Sequence, residues 1–84
     1  MTFADTVRNI VSKIPKGKTM TYKEVARLAG SPNAARAVGS IMKANYNTSI
    51  PCHRVIRSDG KIGAYNRGGT KEKIRKLKRE GAIT

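Results

Sequence analysis

The sequence predicts a small, mainly α-helical single domain that contains a helix-turn-helix pair, with short strands or an irregular wing around a cysteine-containing stretch. Three observations carry that expectation. Apolar residues recur at helical spacing in three early segments, a glycine turn joins the second to the third, and a glycine-rich stretch without periodicity precedes a last helix. The 84 residues leave room for one domain only.

The first helix is marked by Phe3, Val7, Ile10, Val11 and Ile14, which form one stripe. Thr2 and Asp5 have capping-box spacing at its start, and Pro15 ends it at Ile14. Lys16-Gly17-Lys18 makes a turn. Thr21 then opens a second helix with Glu24 as capping partner, Val25, Ala26, Leu28 and Ala29 inside, and Gly30 beyond its end. Ser31-Pro32 reads as N-cap and first position of a third helix carrying Ala34, Ala35, Ala37, Val38, Ile41 and Met42 inward, ending near Asn45. Arg36 and Lys43 fall on its outer side. After a polar stretch, Pro51 to Ile56 stands apart, Ser58-Asp59-Gly60 signals a turn, and residues 62–69 form a glycine-rich loop. The last helix, from Thr70 to Arg79, turns Ile74 and Leu77 inward.

Composition narrows the partners. Eighteen Lys plus Arg against five Asp plus Glu leave a net charge of +13. Such an excess suits a polyanion, and nucleic acid is the commonest one; a merely solubilised or ribosome-associated surface is the bland alternative. In a basic protein the second helix of a helix-turn-helix pair is the usual DNA-facing element, although an ordinary helix hairpin has the same pattern. Leu, Ile, Val and Phe make up only 16 of the 84 residues, so the core is expected to be thin. No apolar run is long enough for a membrane span, and a single cysteine excludes an internal disulfide. The N-terminus does not read as a signal peptide. A cytoplasmic, nucleoid-associated place is expected, or a nuclear one in a eukaryote.

A lone cysteine is more often a small buried hydrophobe than a nucleophile. Cys52 departs from that pattern: proline precedes it, His53 follows, and Arg54, Arg57 and Lys61 lie close in sequence. Cations stabilise thiolate, and histidine is the side chain suited to take its proton near neutral pH. A base of this kind needs a carboxylate to orient it. Asp5, Glu24, Asp59, Glu72 and Glu80 are the choices. Glu24 is engaged by its own cap, and spacing does not decide among the others. One Cys and one His cannot hold a metal unaided, and no phosphate-loop or dinucleotide spacing is met, so no metal and no cofactor is expected.

Ile50-Pro51-Cys52-His53-Arg54-Val55-Ile56 resembles the active-site signature of the O6-alkylguanine-DNA alkyltransferases. The similarity runs along nearly the whole chain: residues 14–19, Thr21-Tyr22, residues 34–39, Gly63-Ala64-Tyr65 and residues 73–81 match that family's C-terminal domain in order and spacing. The resemblance implies a winged helix-turn-helix that enters the minor groove of duplex DNA containing O6-alkylguanine and flips the damaged nucleotide out. Cys52 matches the alkyl acceptor, His53 the base acting on it through water, and Glu80 the carboxylate that orients the base. Tyr22 matches the tyrosine that turns the phosphate, and a role for it as proton donor to the leaving guanine is expected. Arg36 matches the arginine that fills the vacated stack. Asn45 matches the asparagine behind the recognition helix, and Ala34, Arg54 and Lys43 complete the expected DNA contacts. Val55, Tyr65 and Asn66 are the expected walls of the guanine pocket.

The resemblance also has gaps. A counterpart of the family's N-terminal domain, which can carry a structural zinc, is expected to be absent. Tyr46 stands where the family has proline, in a segment one residue short. Asn66-Arg67 replaces a small residue before Gly68-Gly69. The expected activity is a single, self-consuming transfer of an alkyl group to Cys52 by a monomer. The alternative is an alkyltransferase-like protein that binds the lesion and flags it for other repair, but such proteins typically carry tryptophan at the cysteine position.

Overall fold

The computed structural model describes residues 2–45, 47, 49–59, 62 and 68–83. Helix α1 spans Phe3–Ser12 and opens on the expected capping box: the Thr2 hydroxyl accepts the Asp5 N–H at 3.1 Å, and the Asp5 carboxylate accepts the Thr2 N–H at 3.1 Å. The helix stops two residues before the expected end at Ile14. Pro15 disfavours helical angles at Ile14, whose carbonyl swings away and is taken up elsewhere, by Arg54.

Strand β1 (Met20–Thr21) leads into helix α2 (Tyr22–Leu28), where the Thr21 hydroxyl accepts the Glu24 N–H at 3.0 Å. Glu24 serves that cap through its backbone, while its carboxylate turns outward to Arg27. At the end of α2, Gly30 has φ of +86°, and the Ser31 and Gly30 N–H groups return to the Ala26 and Arg27 carbonyls. This reverse turn closes the helix with backbone groups alone.

It also accounts for a departure from the sequence reading. Ser31 is already used to close α2, so it does not open the third helix. An intervening turn, in which the Ala34 N–H donates to the Ser31 carbonyl, puts the start of α3 at Ala35, and α3 runs Ala35–Lys43. Helix α4 spans Gly69–Arg79, one residue longer than expected.

Between α3 and α4 a single 3-10 turn, Cys52–Arg54, runs directly into strand β2 (Val55–Ile56). Strands β1 and β2 pair in parallel, Met20 with Val55 and Thr21 with Ile56. The strand expected near the cysteine is therefore present, while its partner at Met20–Thr21 carried no signal in the sequence. The pairing brings the first residue of α2, Tyr22, beside the turn that carries Cys52.

The core is thin. Val7, Val11, Ile14, Val25, Ala26, Val38, Met42, Ile50, Cys52 and Val55 form its cluster. Leu28 and Ala37, both expected inside, are exposed; Leu28 retains 45% of its accessible surface. It lies about a third of a turn away from the stripe of Tyr22, Val25, Ala26 and Ala29, too far round to reach the core. Leu77 by contrast is wholly buried. Leu77→Ala is expected to cost about 2–5 kcal/mol through lost contacts and a cavity, whereas Leu28→Ser is expected to fall within about 0.5 kcal/mol of the parent. Urea midpoints of the two variants check both values.

Candidate active site and nucleic-acid interface

Glu80 is the hub of the candidate active site. It is the C-cap of α4, and Gly81, with φ of +79°, closes the helix behind it: the Ala82 and Gly81 N–H groups return to the Leu77 and Lys78 carbonyls. A backbone closed this tightly aims the carboxylate at the 3-10 turn. One oxygen, Oε2, lies 3.0 Å from His53 Nε2 and 2.8 Å from an Arg54 terminal nitrogen, and Oε1 accepts from Arg54 Nε at 2.9 Å. The other terminal nitrogen of Arg54 donates to the Ile14 carbonyl at 2.8 Å. The orphan carbonyl left at the end of α1 is thereby satisfied. Three segments far apart in sequence meet at one carboxylate.

The charges follow from that geometry. The Arg54 guanidinium, with help from His53, holds the Glu80 carboxyl at about 2, well below its usual 4.5. Burial lowers the proton affinity of His53 below 6.5, and only in part does the Glu80 carboxylate restore it. An ionised carboxylate accepts only, so His53 Nε2 carries the hydrogen and Nδ1 of the neutral ring keeps a lone pair. The ring is thus in the form a base requires.

Cys52 and His53 are 4% and 9% exposed, adjacent on the turn. Within electrostatic reach of the cysteine lies a residue the sequence reading missed. Lys73 is fully buried, its Nζ donates to the Tyr22 hydroxyl at 3.3 Å, and it sits 5.5 Å from the centre of the Tyr22 ring. Burial pulls its pKa down to about 8, opposed in part by the charge of Cys52. Burial also raises the Tyr22 phenol, as does Cys52. A signal existed: Lys73 stands four residues before Leu77, on the inward stripe of α4.

The outer face of the helix pair carries the expected contacts in part. Tyr22, Lys23, Arg36, Lys43 and Arg57 share a cleft of about 490 Å³ with the α3 backbone at Gly39. Arg36 and Lys43 are exposed there, and Ala34 is half-buried at the α3 N-cap. Two of the expected DNA contacts point inward instead. Arg54 is committed to Glu80 and Ile14. Asn45 is 5% exposed and organises its own turn, donating to the Asn47 and Ile50 carbonyls and accepting the Asn47 N–H. Val55, expected as a pocket wall, is wholly buried in the core. Tyr65 and Asn66, the other two expected walls, and Tyr46 lie outside the described residues. Among the described residues there is no group of three metal-binding side chains, and no helix is long and apolar enough to cross a membrane.

Acid stability reads out the hub. Below pH 4.5 the unfolded chain takes up a proton at Glu80 that the folded chain refuses until about pH 2, so stability present at neutral pH is lost across that window, about 3 kcal/mol in all. His53 acts in the same sense at higher pH: its folded value lies below 6.5, so the loss begins as the pH falls through that range. Denaturant titrations at a series of pH values should show this slope. Glu80→Gln should lose the component between 4.5 and 2 and be weakened at pH 7 by about 3–5 kcal/mol, because Arg54 is left without its carboxylate.

A family model described as the DNA-binding domain of 6-O-methylguanine DNA methyltransferase matches residues 2–82. The methylated-DNA–protein-cysteine methyltransferase of Methanothermobacter thermautotrophicus is 51% identical over 76 residues, 89% of this chain and 42% of that protein. The structure of Mycobacterium tuberculosis OGT in complex with DNA superposes with a TM-score of 0.88 at 40% identity, over 95% of this chain and 49% of that one. Schizosaccharomyces pombe Atl1 in complex with damaged DNA containing O6-carboxymethylguanine gives 0.84 at 40% identity, over 94% of this chain and 75% of that one. The chain thus spans less than half the length of the first two. With a matching model that leaves out only Met1 and residues 83–84, the chain belongs to the family of 6-O-methylguanine DNA methyltransferase DNA-binding domains.

Proposed function

We propose that this chain repairs DNA directly, by transferring an alkyl group from O6 of guanine to Cys52. The observation that carries the reading is the Glu80 hub, which supplies a neutral, oriented imidazole next to a buried thiol. His53 Nδ1 takes the thiol proton through a water molecule. The thiolate attacks the saturated carbon, forming the S–C bond as the C–O6 bond breaks, and Glu80 stabilises the imidazolium. The departing guanine anion takes a proton from the Tyr22 hydroxyl. Lys73 donates to the phenol oxygen and so leaves the phenolic hydrogen to point elsewhere. A thioether has no good leaving group and the chain holds no second thiol, so each molecule acts once. The partner is duplex DNA, engaged by the α2–α3 face, with Arg36 filling the place of the flipped nucleotide. The place of action is that of the DNA, nucleoid or nucleus.

The similarity to Atl1 supplies a second reading, in which the chain binds the lesion without repairing it. Intact mass separates the two. After excess O6-methylguanine duplex, a gain of about 14 Da at Cys52, no more than one per chain, is the expected result. Cys52→Ser should still bind DNA and gain nothing. An unmodified parent chain that binds the lesion tightly overturns the repair reading in favour of the second.

The basic face has its own test. If about four or five phosphates are engaged, raising salt from about 50 to 200 mM should weaken DNA binding roughly 10²–10³-fold. Arg36→Ala should slow repair of duplex far more than reaction with free O6-benzylguanine, since only the duplex requires the gap to be filled. Equal loss on both removes Arg36 from that role.

A further inference from the structure

A second cleft, of about 310 Å³, opens on a different side of the catalytic turn. Ser12 at the end of α1, Ser49 and the Ile50–Pro51 segment, His53 and Arg54 from the turn, and Lys76 from α4 line it. None of these residues lines the α2–α3 cleft, so the two are separate surfaces. No carboxylate lines this one. The single acid nearby, Glu80, has both oxygens engaged by Arg54 and His53. Its polar lining is the Lys76 ammonium, two serine hydroxyls, the His53 imidazole and Arg54, whose nitrogens are committed to Glu80 and Ile14, around a space that holds about ten waters.

We propose that this cleft binds a phosphate-class oxyanion. Its donor set suits one: Lys76 as a point charge, and two serine hydroxyls that can turn to a ligand, Ser12 now donating within α1 to the Asn9 carbonyl and Ser49 within its loop to Asn47 Oδ1, both at 2.7 Å. The groups facing His53 are Cys52 and Arg54 on its own turn and Glu80 and Lys76 from α4, while α1 gives the cleft only the neutral Ser12. Of these, Arg54 and Lys76 oppose protonation of the ring. An anion between Lys76 and the imidazole offsets that opposition and raises the proton affinity of His53. The consequence for alkyl transfer rests on the proposed role of His53 as base: occupancy stabilises the imidazolium formed when the thiol ionises. Binding itself does not depend on that role.

The chain has one histidine, so a single imidazole resonance reports the site. The experiment is an NMR pH titration of His53 in the whole chain, with inorganic phosphate added against chloride at constant ionic strength. The expected result is a saturable rise of about half a unit in the midpoint, threefold in proton affinity, that is lost in Lys76→Gln. Ser49→Ala, on an exposed loop, should weaken phosphate severalfold while leaving the fold as it was. No shift, a shift that never saturates, one that chloride matches, or one unchanged in both variants overturns the proposal. Repeating the titration with an undamaged duplex bound identifies the source: a shift already produced by the duplex assigns the cleft to a nucleic-acid phosphate, and a shift that still needs added phosphate assigns it to the free ion. A chain that forms no cysteine adduct refutes the repair reading and leaves this titration to decide the cleft.

Discussion

The carboxylate of Glu80 is the constraint on which the rest depends. It joins the end of α4 to the Cys52–Arg54 turn through His53 and Arg54, and through Arg54 it reaches the end of α1. Remove it, and a buried guanidinium loses its counter-charge, an imidazole loses its orientation, and an unpaired helix carbonyl loses the neighbour that holds its donor in place. A chain this short cannot anchor its last helix by apolar burial alone; Lys73 and Leu77 are the only wholly buried side chains that α4 supplies among the described residues. A charged, hydrogen-bonded tie therefore supplements a thin core. Buried ion pairs often contribute little net stability, but breaking one from a single side is expensive. Stability and chemistry accordingly draw on the same few atoms.

The charge of the molecule is distributed by the same economy. Each of the five carboxylates is paired with an arginine: Asp5 with Arg8, Glu24 with Arg27, Asp59 with Arg57, Glu72 with Arg75, and Glu80 with Arg54. Four of these pairs are partly or largely exposed and add little to stability. Their effect is on the field. With the acids matched to arginines, the excess falls mainly on lysines and on the exposed Arg36 of α3. Lysine is a mobile point charge suited to a phosphate backbone whose position varies, and arginine to a fixed, planar partner. Of the five pairs only Arg54–Glu80 lies within the fold, and of the described lysines Lys73 is the one wholly buried.

Much of this was legible in the sequence. Helical periodicity located all four helices and capping residues the starts of the first two, and the Pro-Cys-His-Arg-Val stretch pointed to the candidate site. What was not legible shares one cause: each missed feature depends on a contact between segments distant along the chain. The Arg54–Glu80 pair spans 26 residues, and nothing local distinguishes Arg54 from an arginine facing solvent. The partner strand at Met20–Thr21 is two residues long and exists only because β2 lies beside it. Ser31-Pro32 has every local mark of a helix start, but the serine was already needed to close the helix before it. Lys73 has the spacing to Leu77 that places it inward, but residue type argues against it, since lysines are almost never fully buried. Leu28 is the reverse case: its residue type points to the core, but its angle on α2 leaves it exposed.

Lys73 and Glu80 are seven residues apart, two turns along α4, and therefore share one face of the helix. Their protonation tendencies are opposite. Glu80 stays ionised down to about pH 2, held by Arg54, so the anion beside His53 is present throughout the neutral range. Lys73, buried beside Tyr22, has its pKa pulled down to about 8 by that burial, so its charge changes close to neutrality. One helix thus places both charges near Cys52: a fixed negative charge against the His53 imidazole, and a dischargeable positive charge against the Tyr22 phenol. Each needs the other side to be different. A permanent charge at Lys73 would be costly in so closed a place, and an acid at Glu80 that titrated near neutrality would let the imidazole turn or change tautomer. Rigid placement of the two on a single capped helix fixes these opposite demands relative to one another, which a loop would not do.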